Sequence, residues 1–502
     1  MAIAELRAED DDEPITHGRR RGWWMALGML LALVSLIASR VPGVQAWARG
    51  ELDWRGRRTY VAEHPPALEQ VDLTRVHAEL LPRWLIAQGK QAAGEDVAAE
   101  PAAFAELRAA VAPDANLAAL LDELHELSAP SRLGEAPRRA LYLTWAWSHY
   151  LDRHGAPFLV LGNVRARDFG PLLTATIHRV HADVAVAVGE AEHRVRITSR
   201  VDGTNLREAY LGAAGHDDAV VVVDRLRDFT LDEVWPLLDP WLELRSPVQR
   251  SFAAAIRAEV SARLSPVAVR RLENTATVRS SIAEVVRGIE ARRRDCDSGL
   301  RIDSVPWYGL PPVRLTRLAV AAEHHAEREC PGITAAEVQV LARATEALEA
   351  DVMLETALEE LVALTAEHVA IHEARHLADA EHADGFDEPL PCAPCSEAMG
   401  ITARAELSGY LASLAWSPAP ALALYQACRS LAPDQGKPLE PGEPHREALD
   451  LLQRRIGLVC AKGPPEELQA LARHLEVEML GRSDAIALPE SFPRRLPLGS
   501  EG

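Results

Sequence analysis

The sequence predicts a mainly α-helical protein with a small antiparallel β-sheet, an α+β fold, behind one N-terminal transmembrane helix. Three observations lead to this prediction. Apolar residues recur at helical spacing over most of the 502 residues. The period changes to two only between residues 156 and 224. One uncharged run, 22–39, is long enough to span a bilayer.

The N-terminal run has the flanks of a membrane anchor. Arg19, Arg20 and Arg21 precede it, Trp23 and Trp24 open it, and it covers about 27 Å at about 1.5 Å per residue. The excess of arginine before the run places the N-terminus in the cytoplasm. The sequence therefore favours an uncleaved signal-anchor in the cell membrane, with the C-terminal bulk periplasmic or extracellular. A cleavable signal peptide ending at 46–48 is the alternative.

Charge and cysteine content narrow the class of protein. The formal net charge of −20 argues against nucleic acid as a partner, because nucleic-acid binding needs clustered Lys and Arg. No pattern indicates an oligomeric state. Outside the cytoplasm, an even count of six cysteines permits disulfides. The connectivity stays open, although Cys392–Cys395 is the most local pair.

The elements follow from the changes of period along the chain. Leu117, Leu120, Leu121 and Leu124 illustrate the helical spacing that covers 64–154. Strands are predicted at 158–162, 174–180, 183–189, 193–201 and 219–223, with a hairpin turn at 189–190. Thr230 to Glu233 reads as a capping box that opens a helix to Leu238. Further helices are predicted at 248–263, 277–293, 314–329 and 334–350.

These patterns divide the chain into seven regions. They are a cytoplasmic tail (1–21), a transmembrane anchor (22–39), a linker (40–62), a helical region (63–155), a small β-sheet region (156–228), a helical domain (229–482) and an irregular tail (483–502).

The helical domain contains one candidate site. No Pro or Gly interrupts the chain from Asp351 to His382, which predicts one long helix. His372 and His376 are four residues apart and share a face of that helix. Two histidines at this spacing can bind one zinc ion, and Glu373 can then act as general base for a zinc-bound water.

The stretch from His372 to His376, with the apolar Val369 to Ile371 before it, resembles the zincin metallopeptidases. Arg375 departs from their pattern, in which that position is usually uncharged. After His376 the glycine and third histidine of the metzincins are absent. A glutamate on a later helix, the gluzincin arrangement, is present as Glu406 within the predicted helix 401–416.

The resemblance implies a set of roles. His372, His376 and Glu406 would be the zinc ligands, with Glu397 and His382 as alternative third ligands. Glu373 would be the base, Tyr410 would stabilise an oxyanion, and Asp379 would orient a ligand histidine.

In many zincins a sheet directly precedes the active-site helix, and its edge strand holds the substrate backbone. In this chain the predicted strands end near residue 224, and helices are predicted between them and the motif.

Other functions are open at the level of sequence. His372, His376, Cys392 and Cys395 could form a structural zinc site. Glu373 to His376 could belong to a di-iron bundle, with 323–327 as the second half. The chain could also be a non-enzymatic, membrane-anchored scaffold or binding protein. The favoured prediction is a membrane-anchored, zinc-dependent metallopeptidase that acts on peptides or proteins near the membrane.

Overall fold

The structure is a computed structural model, and it describes most of the chain after residue 59. The described ranges are 60–95, 98–202, 211–214, 218–238, 246–296, 312–381, 389–390, 396–431, 443–456 and 460–498. Within them, no helix is both long enough and apolar enough to cross a bilayer. The predicted anchor at 22–39, the tail before it, Cys392–Cys395 and His382 lie outside the described residues.

The N-terminal part is helical, as the spacing of its leucines predicts. A 3₁₀ turn at Leu68–Gln70 comes first, and a π-helical turn at Val76–Leu80 joins the first two helices. The helices are α1 Leu73–Arg75, α2 Leu81–Ala92, α3 Ala99–Val111, α4 Ala115–Leu127, α5 Pro130–Glu135 and α6 Pro137–Arg153.

The aromatic helix α6 packs this part against the sheet. Trp147 and Tyr150 are almost fully buried in the same core as Trp84. Ser148 Oγ accepts a hydrogen bond from Val160 N at 2.7 Å and donates one to Val160 O at 2.9 Å. The serine therefore satisfies the backbone groups of Val160 in the first strand, whose outer edge no other strand covers in the described residues.

The described residues form a six-stranded sheet in the order β1-β2-β3-β5-β4, with β6 paired to β2. The strands are β1 Phe158–Arg167, β2 Gly170–Val188, β3 Ala191–Arg200, β4 Gly212–Ala214, β5 Ala219–Val222 and β6 Ile486–Ala487.

The prediction of an antiparallel sheet is wrong, because the sheet is mixed. β5 runs parallel to β3, whereas β4 is antiparallel to β5 at the edge. Alternation of apolar residues reports which face of a strand is buried and carries no information on strand direction. The direction depends on the connection between β3 and β5, which the sequence pattern does not reveal.

One long strand replaces two predicted ones. β2 has 19 residues and pairs with β1 through its first half and with β3 through its second half. The register shifts between Val180 and Ala182, and this irregularity is where the alternation breaks. The predicted turn at Gly189 is confirmed, since the glycine has a φ of 60° between β2 and β3.

The remaining chain is helical. Its helices are α7 Val223–Phe229, α8 Trp235–Leu238, α9 Pro247–Arg263, α10 Pro266–Glu273, α11 Ala276–Cys296, α12 Pro312–His325, α13 Ala335–Glu349, α14 Val352–Glu381, α15 Glu397–Trp416, α16 Pro420–Ser430, α17 Pro444–Ile456 and α18 Leu468–Leu480.

The predicted capping box at Thr230 is wrong. The helix already begins at Val223 and passes through a π-helical turn at Thr230–Val234. Thr230 is buried there, and its hydroxyl donates a hydrogen bond to the Thr365 hydroxyl at 3.1 Å. Capping boxes open other helices, at Ser246 and Thr334.

The long helix α14 is the centre of the C-terminal core, and its prediction as one helix is confirmed. It is buried along most of its length and contacts strands β2 to β5 as well as α10 and α15. A helix that is apolar on every side has to be covered on every side. The sheet therefore packs directly on the motif helix, although several helices separate the two in sequence.

Two disulfides lie in the described residues. Cys296–Cys330 links the end of α11 to the turn before α13, and Cys428–Cys460 links α16 to the turn before α18. Both pairs are compatible with an oxidising compartment.

Candidate metal centre

The candidate site is formed where α14 crosses α15. At the crossing, a Cβ built on Gly409 would lie 2.7 Å from Nε2 and Cε1 of His372. Only glycine lets the imidazole lie flat against the second helix. The same crossing places Glu406, one turn before Gly409, opposite the two motif histidines.

Three predicted ligands come together. Glu406 Oε2 lies 3.4 Å from His372 Nε2 and 3.7 Å from His376 Nε2. Two ligand atoms bound to one tetrahedral zinc at about 2.0–2.1 Å would be about 3.4 Å apart. In the described residues these three form the only group of at least three potential ligands whose donor atoms all lie within 4.8 Å of one another.

The donor set fits a zinc ion. Glu406 Oε2 is buried and faces the imidazole nitrogens of His372, His376 and His445. Two imidazole nitrogens with one carboxylate oxygen are a common catalytic zinc set. These three side chains therefore suit Zn²⁺, and zinc binding itself stays a prediction.

The charges of the cluster are strongly coupled. Burial lowers the pKa of His372 to about 4. Burial also opposes charge on His376, but its contacts with Glu406 and Glu373 raise its pKa to about 9. Burial alone would raise the pKa of Glu406, whereas the imidazoles around it hold that pKa well below its usual range. The cluster therefore contains a buried carboxylate whose negative charge must be balanced, either by a proton on an imidazole or by a metal ion.

Glu373 faces the edge of the sheet. It is 5% exposed, and burial raises the pKa of its carboxyl to about 7. A Cβ built on Gly212, in β4, would lie 2.7 Å from its Cγ and Oε1. Among the described residues, no strand pairs with the outer side of β4. The predicted base therefore lies beside an open strand edge.

Tyr410 lies beside the cluster, as predicted. Its ring centroid is 5.0 Å from that of His372. Burial, Glu406 and Glu373 raise the pKa of its phenol well above the ordinary value, so the hydroxyl keeps its proton and can donate it in a hydrogen bond.

His445 is a neighbour that sequence reasoning missed. Its Nδ1 lies 3.0 Å from Glu406 Oε2 and 3.2 Å from the Tyr410 hydroxyl, and its side chain is 46% exposed. Burial opposes its charge, but Glu406 raises its pKa. A single histidine after Pro444 at the start of a helix has no spacing that links it to the motif, so no sequence signal was available.

The other candidates lie elsewhere. Glu397 is exposed in the first turn of α15 and is not part of the cluster. Asp379 is bound by Arg375 and Arg482, so its buried carboxylate serves an ion network rather than a ligand histidine. Arg375 also bonds the Ser408 hydroxyl at 2.9 Å and lies 3.2 Å from Asp484. The unusual charge at this motif position is accounted for by that buried network.

A cavity of about 410 Å³ opens beside His372 and Glu373. Its walls come from α15, α16 and α17 and from the segment that leads into β4. Glu373, Tyr410 and His445 line it together with largely apolar side chains. A substrate group in this cavity would lie next to the proposed base.

Comparison with protein-family models, with curated proteins and with solved structures finds no match to this chain.

Proposed function

We propose that the protein is a zinc-dependent metallopeptidase. The observation that carries the proposal is the placement of Glu373 between the His372–His376–Glu406 cluster and the open edge of β4. A structural metal site needs neither a buried carboxylate beside the ligands nor a strand edge next to it.

The three clustered side chains would hold Zn²⁺. When bound, zinc polarises a carbonyl oxygen and lowers the pKa of water to about 7. Glu373 takes the proton from the water that attacks the peptide carbonyl and passes it to the leaving nitrogen. One C–O bond forms and the peptide C–N bond breaks.

Two further groups would act on the negative charge that develops on the carbonyl oxygen. The Tyr410 hydroxyl and the His445 imidazole lie 3.2 Å apart on the cavity side of Glu406. Both can donate a hydrogen bond, and donors that are already in position stabilise an oxyanion in the transition state.

The edge strand would bind the substrate backbone. Extended peptides add to open sheet edges through main-chain hydrogen bonds. β4 is short, and Ala213 and Ala214 follow Gly212, so small side chains flank this edge. A peptide paired with β4 would pass Glu373.

The test combines metal analysis with hydrolysis. The purified full chain should contain about one zinc per chain and cleave an unfolded protein such as reduced casein. Glu373→Gln should keep the zinc and lose about 10²–10⁴-fold in kcat/KM, since it removes only the general base. His372→Ala should lose both zinc and activity.

His474→Ala, at a histidine that is 74% exposed on the side chain, is the matched control and should change neither property. Wild-type protein without zinc would contradict the metal assignment. Full activity in Glu373→Gln would contradict the role of the base. Zinc without hydrolysis of any peptide would favour the structural-site alternative.

A further inference from the structure

The cavity beside Glu373 has features that select one kind of side chain. We infer that it is a subsite for a tyrosine side chain of the substrate, next to the bond that is cleaved. The inference rests on the proposed peptidase function, because it assumes that a peptide occupies the edge of β4.

The size and the walls of the cavity favour a large, mostly apolar group. Its volume of about 410 Å³ falls in the range of about 300–1,000 Å³ that is typical of ligand pockets. Phe229, Leu414 and Leu452 contribute apolar surface, and the small side chains of Ala423 and Ala427 leave the space open.

The cavity is not built for a charged group. Arg429 lines it, but its guanidinium lies 2.8 Å and 3.0 Å from the two carboxylate oxygens of Glu233. An acidic side chain would find this arginine already neutralised. The carboxylate that lines the cavity is that of Glu373, the proposed base, and a basic side chain paired with it would hold it from that role.

One polar side chain in the wall lacks a partner on one atom. His368 is 2% exposed and lies one turn before His372 on α14. Its Nε2 is hydrogen-bonded to Gln426 Oε1, so Nε2 carries the proton and Nδ1 is an acceptor. Nδ1 is buried and has no hydrogen-bond partner.

A phenol fits both properties at once. Its ring would fill the apolar part of the cavity, and its hydroxyl would donate a hydrogen bond to His368 Nδ1. Phenylalanine would fill the same space but would leave Nδ1 unpaired. A site with a buried polar group discriminates strongly against an analogue that lacks the matching group.

The test uses the full chain with zinc and a series of quenched fluorescent peptides. The peptides differ only at the residue on one or the other side of the cleaved bond, which is Ala, Leu, Phe or Tyr. We expect kcat/KM for the tyrosine peptide to exceed that for the phenylalanine peptide at least tenfold at one of the two positions. Equal rates for tyrosine and phenylalanine at both positions would overturn the inference.

Two variants connect this preference to the cavity. His368→Leu should lower kcat/KM for the tyrosine peptide until it equals that for the phenylalanine peptide. Ala427→Leu should narrow the cavity and slow cleavage of both aromatic peptides at least tenfold, while the alanine peptide is spared. Ala398→Leu, at an exposed alanine of α15, is the control. An unchanged preference in His368→Leu would overturn the role of that histidine.

Binding without cleavage separates this inference from the proposed function. N-acetyl-tyrosinamide and N-acetyl-phenylalaninamide can be titrated by NMR against the wild type and against Ala427→Leu. If no peptide is cleaved but the tyrosine amide binds more tightly and only to the wild type, the peptidase proposal fails and the subsite stands. If peptides are cleaved but neither amide binds, the subsite fails and the peptidase proposal stands.

Discussion

Gly212 and Glu373 are in contact although they belong to different halves of the chain. A Cβ added to Gly212 would come within 2.7 Å of the Glu373 carboxylate. The edge strand and the motif helix can approach this closely because Gly212 has no side chain. This contact joins the sheet to the site and positions the proposed base.

Gly212→Ala should displace that base without unfolding the protein. The atoms that a new Cβ would meet belong to the flexible end of the Glu373 side chain, which can move aside. A displacement of about 1 Å at a catalytic group can lower the rate about 10²-fold. We expect this loss in kcat/KM, with the zinc content and the melting temperature close to wild type. Ala214→Ser, at an exposed position of the same strand, is the control. Full activity in Gly212→Ala would argue against Glu373 as the base.

Gly409→Ala should weaken metal binding. The new Cβ would press on the His372 ring at 2.7 Å, and a ring that coordinates a metal tolerates little rotation. Loss of the supporting contacts of a ligand typically lowers metal affinity 10–100-fold. Competition with a chelating dye measures this change. Thr402→Ala, at an exposed position of α15, should bind zinc like the wild type. Equal affinity in both variants would show that His372 is not a ligand.

Arg375→Met should destabilise the fold. Arg375 is fully buried between Asp379 and Ser408, and its removal leaves the Asp379 carboxylate with less compensating charge. Breaking a buried ion pair on one side costs about 3–5 kcal/mol. Arg455→Met removes an exposed partner of Glu478 and should cost about 0–1 kcal/mol. Urea denaturation compares the two, and equal losses would contradict the importance of the buried network.

His77 should make the N-terminal helices sensitive to acid. Its Nδ1 lies 2.7 Å from Leu73 O, and its Nε2 accepts from Trp147 Nε1 at 3.0 Å, so the ring is held neutral. Burial lowers its pKa to about 4 from the ordinary value of 6.5. As the pH falls, His77 is therefore protonated in the unfolded chain before it is protonated in the folded chain. The free energy of unfolding decreases as the pH drops from about 6.5 towards 4.

Between pH 7 and pH 5 this histidine should contribute a loss of about 2 kcal/mol. His77→Leu, although less stable at pH 7, should lose correspondingly less over that interval. His474→Leu, at an exposed site, should follow the wild type. Urea unfolding at the two pH values measures the difference, and parallel losses in all three proteins would contradict the neutral assignment.

Local patterns predict the helices, and the grouping of His372, His376 and Glu406, better than they predict the sheet. The spacing from His368 to His376 and the absence of Pro and Gly identify α14, because helix formation and side-chain facing are local properties. Strand direction, the continuity of β2 and the packing of the sheet on α14 depend on long-range contacts. His445 approaches Glu406 only through the tertiary arrangement of α17. The predicted anchor and the peptidase activity stay predictions.

The contact between Gly212 and Glu373, together with the approach of His445, has a consequence for biosynthesis. The parts of the site are spread from β4 to α17, and their meeting requires contacts of long sequence separation. Such contacts form late in folding because closing long loops is slow. A nascent chain that ends before residue 406 would lack one of the three proposed ligands. We therefore expect a nascent chain that ends before residue 406 to lack the proposed hydrolytic capacity, and a chain that extends beyond His445 to be able to acquire it.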